Sequence, residues 1–270
     1  MPTTNPPSRR RHRHRRRHSR KPGPRRGSPR TPKAPKTPLP ELEAAYQERL
    51  LQLKADKSKT PEDHQALVGE YIETHRVAPG LDGNLAPIHS AIKRPEGMYL
   101  TKAVGSLDAR KCLEVGMAFG TSAFYLTRAM GPEGHLYSVD PFQSTQWEGR
   151  GVGLLKQLGL SKRHTLLEEK SYVALPKLLT KHEGTFDLVF IDGWHTFDYT
   201  LVDAFYANEL LRVGGYLVID DAQHPGVAKC VRYIETNYGG FYKRLATHRT
   251  IAAFCKTAED TREWNFHAGF

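Results

Sequence analysis

Two short, nearly unbroken apolar runs stand out in the pattern of hydrophobic and polar positions along the chain. They cover residues 186–191 and 216–219. Asp192 follows the first run, and Asp220 and Asp221 follow the second. Runs of this length are typical of strands that are buried on both faces of a parallel sheet. Because parallel neighbours end at the same edge, we expect the three carboxylates to lie together, where open α/β sheets bind their ligands.

A strand–helix alternation surrounds these runs. Residues 198–213 have helical spacing of apolar side chains, and Gly214 and Gly215 follow them, which favours a crossover helix that stops at the glycines. Upstream, three further apolar runs alternate with helical segments, one of which we place at residues 146–158. Such alternation predicts right-handed βαβ units, and therefore an α/β fold with a doubly wound, mostly parallel sheet.

Additional elements precede and follow the alternating region. We expect amphipathic helices before the sheet and, after a helix at residues 225–238, two strands joined only by His248 and Arg249. A connection of two residues predicts an antiparallel hairpin. These outer elements are helices at 41–54, 61–77 and 97–107, a loop at 78–87, and strands at 242–247 and 250–256.

Composition separates a basic tail from the body of the chain. The first forty residues contain fourteen of the forty Lys and Arg, ten of the eighteen prolines and no acidic residue. Such a segment buries too little apolar surface to offset its ordering entropy, so we expect residues 1–40 to be disordered. The rest of the chain has 26 basic and 29 acidic residues, a formal charge of −3, so the basic character belongs to the tail.

We therefore divide the chain into four parts. They are the tail at 1–40, helices at 41–109 that cover a site, the main α/β domain at 110–257 and a C-terminal tail at 258–270. The basic residues in 9–30 suit weak contact with nucleic acid, anionic lipid or an acidic partner, and a merely solvated extension explains them equally well. Their dense prolines argue against an organelle transit peptide.

Targeting signals and cysteines narrow the setting. No apolar stretch is long enough to span a bilayer and no signal-peptide core follows the basic start, so we expect a soluble, cytoplasmic protein. Cys112, Cys230 and Cys255 are too few and too scattered for a disulfide framework or a zinc site, and we expect small buried apolar residues. The sequence leaves open whether the chain forms a homo-oligomer.

A glycine-containing turn follows the first strand of the main domain, at residues 114–122 (EVGMAFGTS). Gly116 permits a tight turn, and a helix that opens at Thr121 offers free N–H groups to an anion. The glycines follow the pattern G-x-x-x-G rather than the dinucleotide fingerprint G-x-G-x-x-G, which disfavours NAD. Asp140 ends the second strand, twenty residues past Gly120, where a carboxylate accepts hydrogen bonds from ribose hydroxyls.

In this order the residues resemble the class I S-adenosylmethionine-dependent methyltransferases, and among them the metal-dependent O-methyltransferases of the catechol and bacterial small-molecule types. The resemblance covers residues 110–238. It implies a seven-stranded, Rossmann-like methyltransferase fold. It also implies an enzyme that transfers a methyl group from S-adenosylmethionine to a hydroxyl of a small molecule, with Mg²⁺ or another divalent cation. The cofactor-binding residues that it implies are Glu114, Gly116, Gly120, Ser122, Asp140, Ser171, Tyr172 and Trp194.

The resemblance places the metal ligands among Asp192, Asp220 and Asp221 without deciding which two bind the ion. Catechol-type enzymes have Lys three positions after the first metal-binding Asp, whereas this chain has His195. Histidine titrates near neutral pH, so we expect His195 and Asp192 to be catalytic, with His195 as the base. A metal ligand, or a residue that orients one, is the alternative for His195. Simple capping of the next helix is the alternative for any single Asp.

Two other functions are compatible with the sequence. The basic tail would suit an RNA or other nucleic-acid methyltransferase, although the chain has no Asn-Pro-Pro-Tyr motif and no cysteine in a catalytic position. A non-catalytic module that binds S-adenosylmethionine is the third hypothesis. The complete set of glycines and strand-end acids disfavours a decayed site.

Overall fold

The computed structural model describes residues 37–270, which form two β-sheets and eight α-helices. The strands are β1 Val77–Pro79, β2 Leu85–Pro87, β3 Lys111–Val115, β4 His135–Val139, β5 His164–Leu167, β6 Phe186–Ile191, β7 Leu211–Ile219, β8 Tyr242–Arg244 and β9 Ala252–Lys256. The helices are α1 Leu39–Ala55, α2 Pro61–His75, α3 Arg94–Leu107, α4 Thr121–Ala129, α5 Arg150–Gln157, α6 Ser171–His182, α7 Phe197–Leu210 and α8 Pro225–Asn237.

The main sheet has seven strands in the order β5-β4-β3-β6-β7-β9-β8. The first five run parallel, and β9 and β8 are antiparallel to their neighbours. The predicted doubly wound, seven-stranded sheet with a C-terminal antiparallel hairpin is confirmed. Successive strands move outwards from β3 to β5, and the chain then returns to the other side of β3 as β6. Open α/β sheets bind ligands at such a switch point.

Two layers of helices cover the two faces of the main sheet. Side chains from α1 to α5 form one buried cluster with Leu188 and Phe190, and side chains from α6 to α8 form the other with Val189 and Ile191. Successive residues of β6 thus point to opposite faces, as the geometry of a strand requires. This two-sided burial explains why the strand is apolar throughout.

The crossover between β6 and β7 differs from the prediction at its end. The helix stops at Leu210 and β7 begins at Leu211, so Gly214 and Gly215 lie inside the strand, where its register with β6 shifts. Gly214 has a φ of 85°, and a Cβ at Gly215 would lie 2.9 Å from the Arg212 carbonyl oxygen. The glycines therefore form a bulge in a strand instead of ending a helix.

Three further segments depart from the predicted boundaries. The helix expected at 146–158 begins only at Arg150, because residues 141–149 form a turn that a hydrogen bond from the Gly149 N–H to the Gln143 carbonyl closes. The segment 78–87, predicted as a loop, contributes to the β1–β2 hairpin. Residues 245–251, and not a two-residue turn, join β8 to β9.

The predictions for the basic tail, including its disorder, lie outside the described residues except at its end, where α1 begins at Leu39. The fourfold division of the chain stays a prediction. Within residues 37–270, none of the helices is long and apolar enough to cross a membrane. Cys112 and Cys230 are buried and Cys255 is partly buried, and all three are free thiols.

A buried lysine in β9 links the antiparallel part of the sheet to α7 and to the start of β7. The Lys256 side chain is 2% exposed, and its ammonium group donates to the carbonyl oxygens of Asn208 and Leu211, each at 3.0 Å, and pairs with Glu259 at 2.6 Å. We predict that Lys256→Met lowers the free energy of unfolding by about 2–4 kcal/mol, because it leaves buried acceptors without a donor. Urea titration followed by circular dichroism measures the change, and the exposed Lys243→Met is the control. Equal stability of the two variants would contradict this role.

Candidate active site

A crevice of about 640 Å³ opens at the carboxyl ends of β3, β4 and β6, at the switch point of the sheet. Its inner wall consists of the residues that follow these strands and the first turn of α4. Residues 90–92, before α3, and Trp147 line its outer side. The loop before α3 thus contributes to the wall of the crevice, and the cover by the N-terminal helices themselves stays a prediction.

Gly116 occupies the turn after β3. Its φ of 93° lies in the region that favours glycine, and a Cβ at this position would overlap the backbone carbonyl of Asp192. The Asp192 N–H in turn donates to the Val115 carbonyl at 2.8 Å. Glycine at this position is therefore needed for the close approach of the two strand ends.

Gly120 and Ser122 shape the start of α4. Gly120 has a φ of 76°, and a Cβ there would lie 2.9 Å from the backbone of Gly151 in α5. Thr121 and Ser122 line the crevice, so the free N–H groups and positive dipole end of α4 face its interior. This end of the crevice suits an anionic group such as a carboxylate.

Asp140 is 3% exposed and organises the loops at the floor of the crevice. One carboxylate oxygen accepts from the N–H groups of Met117 and Ala118, at 3.1 and 2.7 Å, and from the Gln143 amide at 3.3 Å. The other oxygen accepts only from the Phe142 N–H, at 2.9 Å. This second oxygen has capacity left for a hydroxyl of a ligand.

Glu114 lies behind the crevice wall and is fully buried. Ser122 donates to one of its carboxylate oxygens at 2.7 Å and Ser138 donates to the other at 2.6 Å. Burial raises the pKa of Glu114 to about 8, against the effect of the two hydroxyl donors. In this structure Glu114 contacts Ser122, which lines the crevice, and does not line the crevice itself.

Aromatic residues border the end of the crevice near α6 and α7. Ser171 and Trp194 line the crevice, and Tyr172 lies beside it, 49% exposed. Tyr199, which the sequence analysis did not select, lines the crevice and packs against both aromatic rings, with centroid distances of 6.0 Å to Tyr172 and 6.5 Å to Trp194. This arrangement offers apolar ring faces to a flat ligand group.

Of the three strand-end acids, Asp192 lines the crevice, and Asp220 and Asp221 lie beside it at the end of the adjacent strand. Ile191 pairs with Ile219, so Asp192 and Asp220 follow neighbouring positions of adjacent strands. Asp221 has a φ of 51°, a left-handed conformation that Asp tolerates better than most residues. The ring of His195 connects the two acids, because its Nε2 lies within 3.5 Å of a carboxylate oxygen of both Asp192 and Asp221. The predicted convergence of the three carboxylates is present.

Two histidines complete this acidic cluster. His195 Nε2 lies 3.3 Å from Asp192 Oδ1 and 3.5 Å from Asp221 Oδ2, and His224 Nδ1 lies 3.7 Å from Asp221 Oδ2. The hydrogen bond to Asp192 is the main cause that raises the pKa of His195. Burial raises the pKa of both Asp192 and Asp220, and for Asp220 the adjacent charge of Asp192 adds to the effect.

Sequence analysis missed one acid of this cluster. Glu96 belongs to α3, is 5% exposed, and accepts hydrogen bonds from the Lys93 N–H and from the Thr250 hydroxyl. Its charge raises the pKa of Asp192 and Asp220. The sequence spacing between Glu96 and the strand-end acids gave no signal for this proximity, because α3 reaches them only through tertiary packing.

The acidic cluster has the donor chemistry of a divalent-cation site. Asp220 is 6% exposed, and its Oδ1 has no hydrogen-bond partner among residues 37–270. Buried carboxylate oxygens without donors are rare unless another cation or donor satisfies them. One ligand atom each from His195, Asp221 and His224 also lie within 4.8 Å of one another. The residues present therefore fit a bound cation, with oxygen and imidazole donors both available.

Comparison with known proteins agrees with this geometry. The sequence profile of a methyltransferase domain matches residues 113–222. That match spans β3 to the end of β7 and includes all three strand-end acids. Residues 113–222 are therefore similar to a methyltransferase domain. The chain's resemblance to O-methyltransferases, stated above from the sequence, is confirmed.

Curated relatives of this domain are O-methyltransferases. The chain is 29% identical over 136 residues to a protein named catechol O-methyltransferase from Mycobacterium tuberculosis (strain ATCC 25618 / H37Rv), a match that covers 50% of this chain and 59% of the relative. It is 30% identical over 135 residues to a probable caffeoyl-CoA O-methyltransferase 2 from Dictyostelium discoideum, covering 48% of this chain and 56% of the relative. The chain thus matches little more than half the length of these relatives.

Solved structures share the fold of the methyltransferase domain. The O-methyltransferase TomG of Streptomyces achromogenes, in complex with S-adenosylmethionine, superimposes with a TM-score of 0.53 at 19% identity, covering 81% of this chain and 96% of that chain. An O-methyltransferase of Bacillus cereus in complex with S-adenosylhomocysteine gives 0.53 at 15% identity, covering 80% of this chain and 99% of that chain.

We predict that Gly116→Ala destabilises the methyltransferase domain by more than about 2 kcal/mol, because the new Cβ would combine a positive φ with a clash against the Asp192 carbonyl. Gly105→Ala is the matched control. Its Cβ would enter open space on helix α3, so we expect equal or slightly higher stability. Urea unfolding measures both variants, and a Gly116→Ala domain as stable as the control would contradict the proposed strand contact.

Proposed function

We propose that this protein is an S-adenosylmethionine-dependent O-methyltransferase that methylates a hydroxyl group of a small molecule with the help of a divalent cation. One observation carries the proposal. Asp192 lines the same crevice that contains the Gly116 turn and Asp140, and Asp220 and Asp221, which follow the adjacent strand, lie next to Asp192. A site for a cationic methyl donor and a site for a metal-bound acceptor thereby share one opening.

The crevice offers a separate partner to each part of S-adenosylmethionine. The start of α4, with Ser122, suits the carboxylate of the methionine group. The free lone pairs of Asp140 Oδ1 suit a ribose hydroxyl. Ser171 and the rings of Tyr172 and Trp194 suit the adenine. In this proposal Gly116 and Gly120 act by setting the backbone path of the crevice wall. Glu114 acts through its hydrogen bond with Ser122.

The acidic cluster would hold the divalent cation, for which Mg²⁺ is the first candidate. Asp192, Asp220 and Asp221 would supply carboxylate oxygens, and the unpartnered Oδ1 of Asp220 is the observation that favours a cation there. A bound divalent cation supplies a Lewis acid that lowers the pKa of an attached hydroxyl and fixes its oxygen. The charges of Asp192, Glu96 and Asp221 all act on Asp220, which strengthens the demand for positive charge there.

His195 is the residue that we assign as the base. Its Nε2 faces the carboxylates of Asp192 and Asp221, so a hydroxyl placed beside these acids lies within reach of that nitrogen. In this proposal neutral His195 carries its proton on Nδ1, so that Nε2 has a free lone pair. The proton moves from the hydroxyl oxygen to Nε2, and the resulting imidazolium then donates to the carboxylates of Asp192 and Asp221. The deprotonated oxygen then forms the new bond to the methyl carbon while the carbon–sulfur bond breaks.

The size and lining of the crevice support a small acceptor. A volume of about 640 Å³ falls within the range of pockets for small molecules and cofactors. The acceptor side is bounded by Ile92, Trp147 and His195, a mixture of apolar and polar surface that suits a ring bearing hydroxyl groups. The wall is contributed in part by the segment before α3, so acceptor choice depends on the region outside the matched methyltransferase domain.

We predict that Asp192→Asn lowers the rate of methyl transfer at least about 100-fold while the Kd for S-adenosylhomocysteine changes less than about threefold. The substitution removes one negative charge from the acidic cluster. Altering a residue that supports a metal ion or a catalytic base typically lowers metal affinity or activity on the order of 100-fold. Asp108→Asn, whose side chain is 93% exposed, is the control. Calorimetry gives the Kd, and a screen of hydroxyl compounds with labelled S-adenosylmethionine gives the rate. Intact turnover in Asp192→Asn would contradict the assignment of Asp192 to the metal site and to catalysis.

We predict that excess chelator stops methyl transfer and that added Mg²⁺ restores it, because the buried Asp220 Oδ1, which has no partner among the described residues, and the acids beside it favour a bound cation. Binding can be followed without turnover by titrating Mn²⁺ into the protein and measuring the free ion by electron paramagnetic resonance. A double variant, Asp220→Asn with Asp221→Asn, should then release the ion. Full activity in chelator would favour a metal-free mechanism with His195 as the sole base.

A further inference from the structure

A continuous, linear chain of side-chain hydrogen bonds runs behind the crevice wall from α4 to β5. It links Ser122, Glu114, Ser138 and His164, with distances of 2.7, 2.6 and 2.8 Å between successive side-chain atoms. Ser122 lines the crevice, Glu114 and Ser138 are fully buried, and His164 is partly buried. Because each hydroxyl has one proton, the direction of every bond in the chain can be followed.

His164 fixes the direction at one end. Burial lowers the pKa of His164 to about 4, so its ring is neutral at neutral pH. When Glu114 is ionised, Ser138 donates its only proton to Oε1, and His164 Nε2 must then donate to the Ser138 oxygen. If His164 keeps this tautomer when Glu114 gains a proton, Oε1 stays an acceptor and the proton resides on Oε2, beside Ser122.

The charge state of Glu114 then decides what Ser122 can offer to a ligand. If Glu114 is ionised, the Ser122 hydroxyl donates to Oε2 and presents only lone pairs to the crevice. If Glu114 is protonated, Oε2–H donates to the Ser122 oxygen, and the Ser122 proton is free to point into the crevice. Only the second arrangement lets Ser122 donate to an anionic group at the start of α4.

We propose that Glu114 is a proton-carrying positioning residue, and that S-adenosylmethionine binds preferentially to the form in which protonated Glu114 donates to Ser122 and Ser122 donates to the cofactor carboxylate. The inference rests on the proposed cofactor site. It adds that cofactor binding takes up a proton whenever Glu114 is ionised in the free protein.

The charges around Glu114 favour this proton. The titratable groups that act on it are Asp140 at the end of β4 and Asp192 at the end of β6, both acidic, together with the neutral His164. Cys112, on the same strand, is buried, and burial raises the pKa of its thiol, so it stays neutral. No cation opposes them among the groups that act on Glu114 in the described part of the chain. An ionised Glu114 would be a buried anion between two others.

The expected pH dependence has a definite sign. In the free protein the pKa of Glu114 is raised to about 8, and binding that requires the protonated form raises it further. Affinity is therefore complete below about pH 8 and weakens as the pH rises through that value. The loss approaches about tenfold for each pH unit, as expected for the uptake of one proton.

Calorimetric titration with S-adenosylhomocysteine from about pH 6.5 to about pH 9.5 tests the inference. The α-amino group of S-adenosylhomocysteine itself titrates at about pH 8. The pH profile of each variant is therefore compared with the profile of the unaltered protein. Glu114→Gln is the key variant, since its amide NH₂ donates to Ser122 and its carbonyl accepts from Ser138, as protonated Glu does. The exposed Glu133→Gln is the matched control.

We expect Glu114→Gln to bind S-adenosylhomocysteine as tightly as the unaltered protein at pH 7 and about tenfold more tightly for each unit above pH 8, with correspondingly smaller proton uptake measured in buffers of different ionisation enthalpy. Glu133→Gln should follow the unaltered protein. Ser122→Ala should bind more weakly at pH 7 and lose the Glu114-dependent part of the pH profile, which provides an independent check if Glu114→Gln folds poorly.

Identical pH profiles for the unaltered protein and both Ser122→Ala and Glu114→Gln would overturn the inference and leave the proposed cofactor site intact. Weaker binding by folded Glu114→Gln at pH 7 would also overturn it, since it would show that the carboxylate and not the acid is required. Absence of S-adenosylhomocysteine binding at every pH in the unaltered protein would instead contradict the proposed function, and this inference with it.

Discussion

The contact between the Gly116 turn and the Asp192 carbonyl determines the geometry of everything at the switch point. Two parallel strands end there with their backbones in van der Waals contact, a distance that any side chain at Gly116 would enlarge. Because the strands end together, the turn that faces a cofactor and the first acid of the acidic cluster are fixed relative to each other. The sheet supplies this rigidity, and the loops add the specific side chains.

A concentration of acidic side chains determines the chemical character of this edge of the sheet. Asp192, the pair Asp220 and Asp221, and Glu96 come from three different places in the chain, and His195 and His224 lie among them. Burial makes an isolated negative charge costly, so the cluster favours protons on its members or a bound cation. Behind the crevice, Glu114 has the same property on a smaller scale. In the two proposals, these acidic groups would couple the occupancy of the site to positive charge, supplied by a proton at Glu114 and by a metal ion at the acidic cluster.

Much of the fold followed from residue patterns that a single sequence contains. Apolar runs identified the strands because burial on both sheet faces removes the usual alternation, and the acids after β6 and β7 met because parallel neighbours end at one edge. The bulge at Gly214 was mistaken for a helix end, since glycine accompanies both features. Glu96 and Tyr199 could not be found in this way, because their proximity to the site depends on how helices pack across the crevice. The role of Glu114 depends on Ser138 and His164, which no short motif connects to it.

The central claim is that one opening binds both a methyl donor and a cation. A crystal structure of the protein grown with S-adenosylhomocysteine and Mn²⁺, with anomalous scattering to locate sulfur and manganese, tests it most directly. The account predicts a manganese peak against the oxygens of Asp220 and at least one of Asp192 and Asp221, with the sulfur in the crevice beside the Gly116 turn. A nucleoside bound elsewhere, or a well-occupied cofactor with no metal peak at these acids, would contradict the account.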